Sequence, residues 1–170
     1  MKNLEAKFRL LNHAEAQARA AALGYVRRAT LNQRDTFFQV ANGKLKLREE
    51  NGGAVLIFYR RRNGESGPLM ISDYEIVPVA DPARMLRILE DSLGAIAVVE
   101  KVRILMTRDN VRLHLDRVAN LGQFGEIEAV IADGDDPERS RGAVDEILAT
   151  LGVGHADLID VSYFELLAKP

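Results

Sequence analysis

In the strand-like segments of this 170-residue chain, polar residues fall on every second position, and there they are charged with both signs. Asn3, Glu5, Lys7 and Arg9 alternate with Leu4, Ala6, Phe8 and Leu10. Lys44, Lys46 and Arg48 alternate with Leu45 and Leu47, and Arg112, His114 and Asp116 with Val111, Leu113 and Leu115. Successive side chains on a strand point to opposite faces, so each segment has one apolar face and one face dense in cations and carboxylates. An ordinary half-buried strand is indifferently polar on its wet side. If the charged faces converge, they enclose a cavity whose desolvation must be offset by pairing of opposite charges or by water and ligand.

A chain of this length with 47% hydrophobic residues can bury one substantial core and reads as one domain over residues 1–170. Its 23 basic and 25 acidic residues leave a formal net charge of −2, so no overall basic excess points to nucleic acid or an anionic membrane. Any anion site must be local. The absence of cysteine excludes disulfides and thiolate metal ligation and fits a cytoplasmic setting. No apolar run reaches the length of a membrane-spanning helix.

Turn and cap signals divide the chain. A strand over 2–10 precedes a helix capped by Asn12, with Glu15 three residues on, and ended by Gly24. Strands are expected near 25–40, 43–50 and 53–62, the last two joined by the hairpin pair Asn51-Gly52. After a glycine-rich loop from Gly64 to Pro68 comes a strand near 70–78, then a helix announced by Asp81 and Pro82 and closed by Gly94. Strands at 96–107, 110–118 and 123–131 follow, with a helix from Asp136-Pro137 to Gly152 and a short one capped by Ser162. Eight strands, several in consecutive hairpins, predict an α+β fold: an antiparallel sheet curled into a barrel with helices packed outside.

Five runs stand in order along the chain: Asn3-Leu4-Glu5-Ala6-Lys7, Gln33-Arg34-Asp35-Thr36-Phe37-Phe38, Lys44-Leu45-Lys46-Leu47-Arg48, Lys101-Val102-Arg103 and Phe124-Gly125-Glu126-Ile127-Glu128. In sequence and order they resemble the strand motifs of the CYTH superfamily, the triphosphate tunnel metalloenzymes. Ser72-Asp73-Tyr74 and Arg112-Leu113-His114-Leu115-Asp116 look most like the class IV adenylate cyclase branch. The resemblance implies an eight-stranded antiparallel tunnel that binds nucleoside triphosphate or inorganic triphosphate with Mg2+ or Mn2+, and it allows a homodimer. Two departures stand out: Asn3 replaces the first Glu of the family's Glu-x-Glu-x-Lys, and Leu69 and Met70 stand where many relatives carry a basic residue.

Residue chemistry agrees with the resemblance. Carboxylate oxygens suit hard divalent cations, and Glu-x-Glu spacing puts both side chains on one strand face, so Glu5, Glu126 and Glu128 form the expected metal set, ahead of Asp116. Lys46, Arg48, Arg60, Lys101, Arg103 and Arg112 would cradle the phosphates. In the run Arg60-Arg61-Arg62, Arg60 is expected inside and Arg61 outside; Lys44 and Arg62 would guard the tunnel mouth. Lys7 is the family's candidate catalytic or phosphate-contacting lysine, whereas His114 reads as structural. No phosphate-binding loop, dinucleotide fingerprint or nucleophile triad is present.

These expectations favour an adenylate cyclase, with a triphosphatase or a non-catalytic polyphosphate-binding module as alternatives. In each case the empty lumen is expected to be self-repelling, and tripolyphosphate with magnesium should raise the melting temperature. A ligand at about a hundred times its dissociation constant adds roughly 2.7 kcal/mol. Orthophosphate at equal ionic strength should do much less, and an unchanged melting temperature with tripolyphosphate would remove the anion site.

Overall fold

Asn51 and Gly52 both take positive φ, 47° and 87°, the conformation a two-residue hairpin needs to match the twist of its strands. Asp109 (φ 50°) and Asn120 (φ 63°) play a similar part at the next two hairpins. A computed structural model, describing residues 2–63, 69–132 and 137–168, shows the result. The strands are β1 (Lys2–Arg9), β2 (Val26–Phe38), β3 (Lys44–Glu50), β4 (Gly53–Asn63), β5 (Met70–Pro78), β6 (Ala95–Arg108), β7 (Val111–Val118) and β8 (Gly122–Ile131). They close into an antiparallel barrel in the order β1-β5-β4-β3-β2-β6-β7-β8. The expected loop at 64–68 and the expected cap at Asp136 lie outside the described residues.

Helix α1 (His13–Ala22) begins where Asn12 accepts hydrogen bonds from the amides of Ala14 and Glu15. In α2 (Pro82–Leu93), Asp81 accepts from the Arg84 amide at 3.0 Å, and Pro82 occupies the first turn, where no intrahelical donor is required. Helices α3 (Pro137–Leu151) and α4 (Tyr163–Leu167) follow, separated by a 3-10 turn at His155–Asp157 that no sequence signal announced.

Most of the hydrophobic core lies outside the barrel. Phe8, Leu113, Leu115 and Ile127 point outward and pack under Ala16 and Ala20 of α1 and Val144, Ile147 and Leu148 of α3. On the other flank Phe38 and Leu47 meet Leu89 of α2. A third cluster lies within one end of the barrel, where Phe37, Tyr59, Val99 and Phe124 surround Tyr163 of α4. Helices therefore cover the apolar strand faces, and the alternate faces turn inward.

Phe8 crosses β8 at Gly125, its register partner, where an added Cβ would lie 2.3 Å from the phenyl Cε2. Gly125→Ala should therefore cost about 1–3 kcal/mol through overpacking. Leu113 is fully buried, and Leu113→Ala should cost about 2–5 kcal/mol. Urea unfolding reads both; a Gly125→Ala protein as stable as the parent would contradict the close approach of this ring.

Candidate active site in the barrel lumen

Strand register brings the charged positions together in one cavity of about 390 Å³. Arg48 lies opposite Asp35 on β2, and Arg103 opposite Asp116 on β7. Each carboxylate grips a Lys-x-Arg pair on the neighbouring strand. Asp35 accepts from Lys46 Nζ at 2.8 Å and from Arg48 Nε and Nη2 at 2.7 Å each. Asp116 accepts from Lys101 Nζ at 2.9 Å and from Arg103 Nε and Nη2 at 2.7 and 2.6 Å. Such bidentate, charge-assisted contacts fix the guanidinium planes.

Burial and pairing set the protonation states. Burial alone would raise the Asp35 carboxyl, but Lys46 and Arg48 outweigh it and hold it well below the usual carboxylate range. Lys46 is lowered to about 7, by burial first and Arg48 second, with Asp35 opposing. Lys7 is lowered to about 8 by burial, against Glu126 at 3.2 Å, and it donates to the Val161 carbonyl at 3.1 Å. Burial would also lower Arg103, yet Asp116 and Glu126 raise it well above its ordinary value.

On the facing strands His114 lies opposite Glu126, and Arg112 opposite Glu128. One ligand atom from each of His114, Glu126 and Glu128 lies within 4.8 Å of the others. Burial, reinforced by Arg103, lowers His114 to about 4, so its ring is neutral at pH 7. Two carboxylates and a neutral imidazole form a donor set that fits a divalent cation.

Several expectations need correction. Arg60 points outward, exposed, with its guanidinium 5.1 Å from the Phe58 ring. Arg61 is the inward residue: it lines the cavity with Ile57 and Tyr59 and pairs with Glu5 at 3.0 Å. Apolar residues face both ways along β4, so no alternation marked the phase. Asp116 does not stand open to a metal. It is fully buried, and its oxygens are taken by Lys101, Arg103 and the Tyr163 hydroxyl, which donates at 3.1 Å. The lumen is not a cage of unpaired like charges either, because its cations face carboxylates. Lys44 lies at one end, where it pairs with Glu165 of α4 at 2.7 Å; the Arg62 side chain lies outside what is described.

Lys7, Glu5, Glu126, Glu128, Lys46, Arg48, Lys101, Arg103 and Arg112 all line the cavity, with Arg112 half exposed and 3.9 Å from Glu128. Arg61, Tyr163, Ser72 and Gln33 line it too, although the sequence reading assigned them no role there. For Ser72 and Arg61 the inward phase follows from register, since Asn3, Ser72 and Arg61 are direct neighbours across β1, β5 and β4, whereas Tyr163 enters on α4.

The closed antiparallel barrel, with paired cations on one wall and carboxylates and imidazole on another, makes its interior the candidate site. The CYTH domain model matches residues 1–163, and the chain belongs to that family. It is 26% identical over 135 residues to a Methanocaldococcus jannaschii protein named as a candidate adenylate cyclase, covering 78% of this chain and 75% of that one. The PH1012 protein of Pyrococcus horikoshii shares the fold with a TM-score of 0.83 at 22% identity, covering 96% of this chain and 98% of that one. A Hippeastrum protein described as a candidate adenylyl cyclase with a dominant triphosphatase activity superposes with a TM-score of 0.66 at 21% identity, covering 98% and 94%. No helix among the described residues is long and apolar enough to cross a membrane.

Lys46 carries its charge below about pH 7 and loses it above. Tripolyphosphate affinity should accordingly fall by roughly tenfold as pH rises from about 6 to about 8, with proton uptake on binding near neutrality. Lys46→Met should flatten that stretch of the profile in calorimetric titrations. Parallel pH profiles for the parent and the variant would show that Lys46 does not hold the anion.

Proposed function

We propose that this chain is a divalent-cation-dependent enzyme of nucleoside triphosphates that converts ATP to cyclic AMP and pyrophosphate. The observation that carries the reading is the pair of Asp-clamped Lys-x-Arg units beside the His114–Glu126–Glu128 cluster in one cavity. Lys46, Arg48, Lys101 and Arg103 would hold the β and γ phosphates, with Arg112 at the exposed rim. Fixed cations of this kind stabilise the charge that builds on departing pyrophosphate. In the reaction a bond forms from the ribose 3′ oxygen to the α phosphorus, the bond from that phosphorus to pyrophosphate breaks, and the hydroxyl proton passes to a base. Lys7, buried beside Glu126, is the residue assigned to the proton or to an α-phosphate oxygen. Glu126 and Glu128 would hold Mg2+ or Mn2+, which supplies charge neutralisation at the reacting phosphate when bound.

The resemblance to a candidate adenylate cyclase over 135 residues supports the cyclase. The Hippeastrum protein, with its dominant triphosphatase activity, favours a second reading on the same residues, in which water attacks and thiamine triphosphate, a nucleoside triphosphate or inorganic triphosphate is the substrate. Asn3, neutral where the family carries a carboxylate, supports a third, a module that binds polyphosphate without turning it over. A single domain, a cytoplasmic location, allowance for a homodimer, and the absence of nucleic-acid or membrane partners belong to the same proposal.

Incubation with ATP and magnesium or manganese, followed by resolution of cyclic AMP, pyrophosphate and orthophosphate, separates the three. The cyclase reading expects cyclic AMP and pyrophosphate in equal amounts, and at least a tenfold loss, roughly, in Glu128→Ala. Orthophosphate without cyclic AMP would replace it with the hydrolase.

A further inference from the structure

We propose that His114 is a metal ligand, its Nδ1 joining Glu126 and Glu128 in a mixed nitrogen and oxygen site that prefers manganese and cobalt-class cations to magnesium. The inference rests on the reading that the lumen holds a divalent cation, and it adds the ligand and the metal preference.

Four observations lead to it. Among the described residues His114 Nδ1 is buried and has no hydrogen-bond partner, and the residue is only 5% exposed. An orphaned ring nitrogen in a closed environment is uncommon without a hydrogen or a metal to satisfy it. The nitrogen lies 3.7 Å from Glu128 Oε1, and one ligand atom from each of His114, Glu126 and Glu128 lies within 4.8 Å of the others. Two ligand atoms about 2.1 Å from a shared ion stand about 3 to 4 Å apart, so small rotations close the set. The third observation is where the other carboxylates go: Glu5, on the strand next to Glu128, pairs with Arg61 at 3.0 Å and lies outside the cluster, whereas Glu126, although paired with Lys7 and Arg103, keeps an oxygen within it. Finally, Asn3 brings no charge and donates to Glu128 Oε2 at 3.4 Å, which leaves the Oε1 side to His114.

Ligand chemistry then sets the metal. Magnesium demands oxygen ligands and gives up water reluctantly, whereas imidazole nitrogen suits the later first-row divalent ions. Replacing a family carboxylate by Asn3 and offering an imidazole instead moves the site in that direction.

Metal alone, without nucleotide, is the probe. The metal-free protein titrated with Mn2+ should show a nitrogen coupling in pulsed electron paramagnetic resonance, a measurement on the unmutated chain that needs no folding control. Mn2+ and Co2+ should bind at least about tenfold more tightly than Mg2+. His114→Gln should abolish the nitrogen signal and weaken Co2+ by about 10- to 100-fold, while Glu5→Gln changes it by less than about threefold. Absence of nitrogen coupling in the parent, or unchanged Co2+ affinity in a folded His114→Gln protein, overturns the assignment. Nitrogen coupling without turnover of ATP would keep this site and remove the enzymatic reading, whereas turnover without nitrogen coupling would do the reverse.

Discussion

The structure depends on two buried carboxylates. Asp35 and Asp116 each sit against a lysine and an arginine two residues apart on the adjacent strand. Four cations turned into a barrel of this size could not be desolvated alone, since the penalty for a buried ion is several kcal/mol even after relaxation. The carboxylates repay part of that penalty and orient the guanidinium groups. The two clamps lie side by side around the barrel, β3 with β2 and β6 with β7, so one device is used twice. A bound polyanion would share those cations with Asp35 and Asp116 instead of meeting bare charges.

Because the strands commit one face to the lumen, the chain must build its core elsewhere. Helices α1 and α3 cover β1, β7 and β8, and α2 covers the opposite flank. Short α4 contributes differently: Tyr163 and Phe164 enter one end of the barrel, where Phe164 stacks 4.7 Å from Phe37 and Tyr163 lies edge-on to Phe124 at 5.1 Å. Lys7 sits 4.3 Å from the Tyr163 ring centroid, so the C-terminal helix touches the same lysine that reaches Glu126.

Much of this is legible in the sequence. Alternation of charge and apolar residues placed Lys7, Lys46, Arg48, Lys101 and Arg103 inward, and Asn51-Gly52, Asp81-Pro82 and Gly94 marked turns and helix ends. Alternation fails where both faces are apolar, as at Ile57, Phe58 and Tyr59, and there the phase of Arg60 and Arg61 came out reversed. It also cannot show pairing. Asp116 was correctly in phase, but its commitment to Lys101, Arg103 and Tyr163 depends on register and on a helix nearly fifty residues away in sequence. For the same reason nothing in the sequence sets His114 beside Glu126 and Glu128, a proximity that depends on the register of β7 with β8.

The division of labour between strand faces has a consequence for how such a chain can change over generations. Leu113 answers to the helices outside and its neighbours Arg112 and His114 to the cavity, although all three are consecutive in sequence. A replacement on the inner face alters what is held there and leaves the packing that keeps the protein folded largely untouched, as Asn3 shows by standing beside Leu4 in an intact barrel. The tunnel is in this sense a socket whose contacts can be exchanged one at a time, each exchange exposed to selection on ligand chemistry before it is exposed to selection on stability.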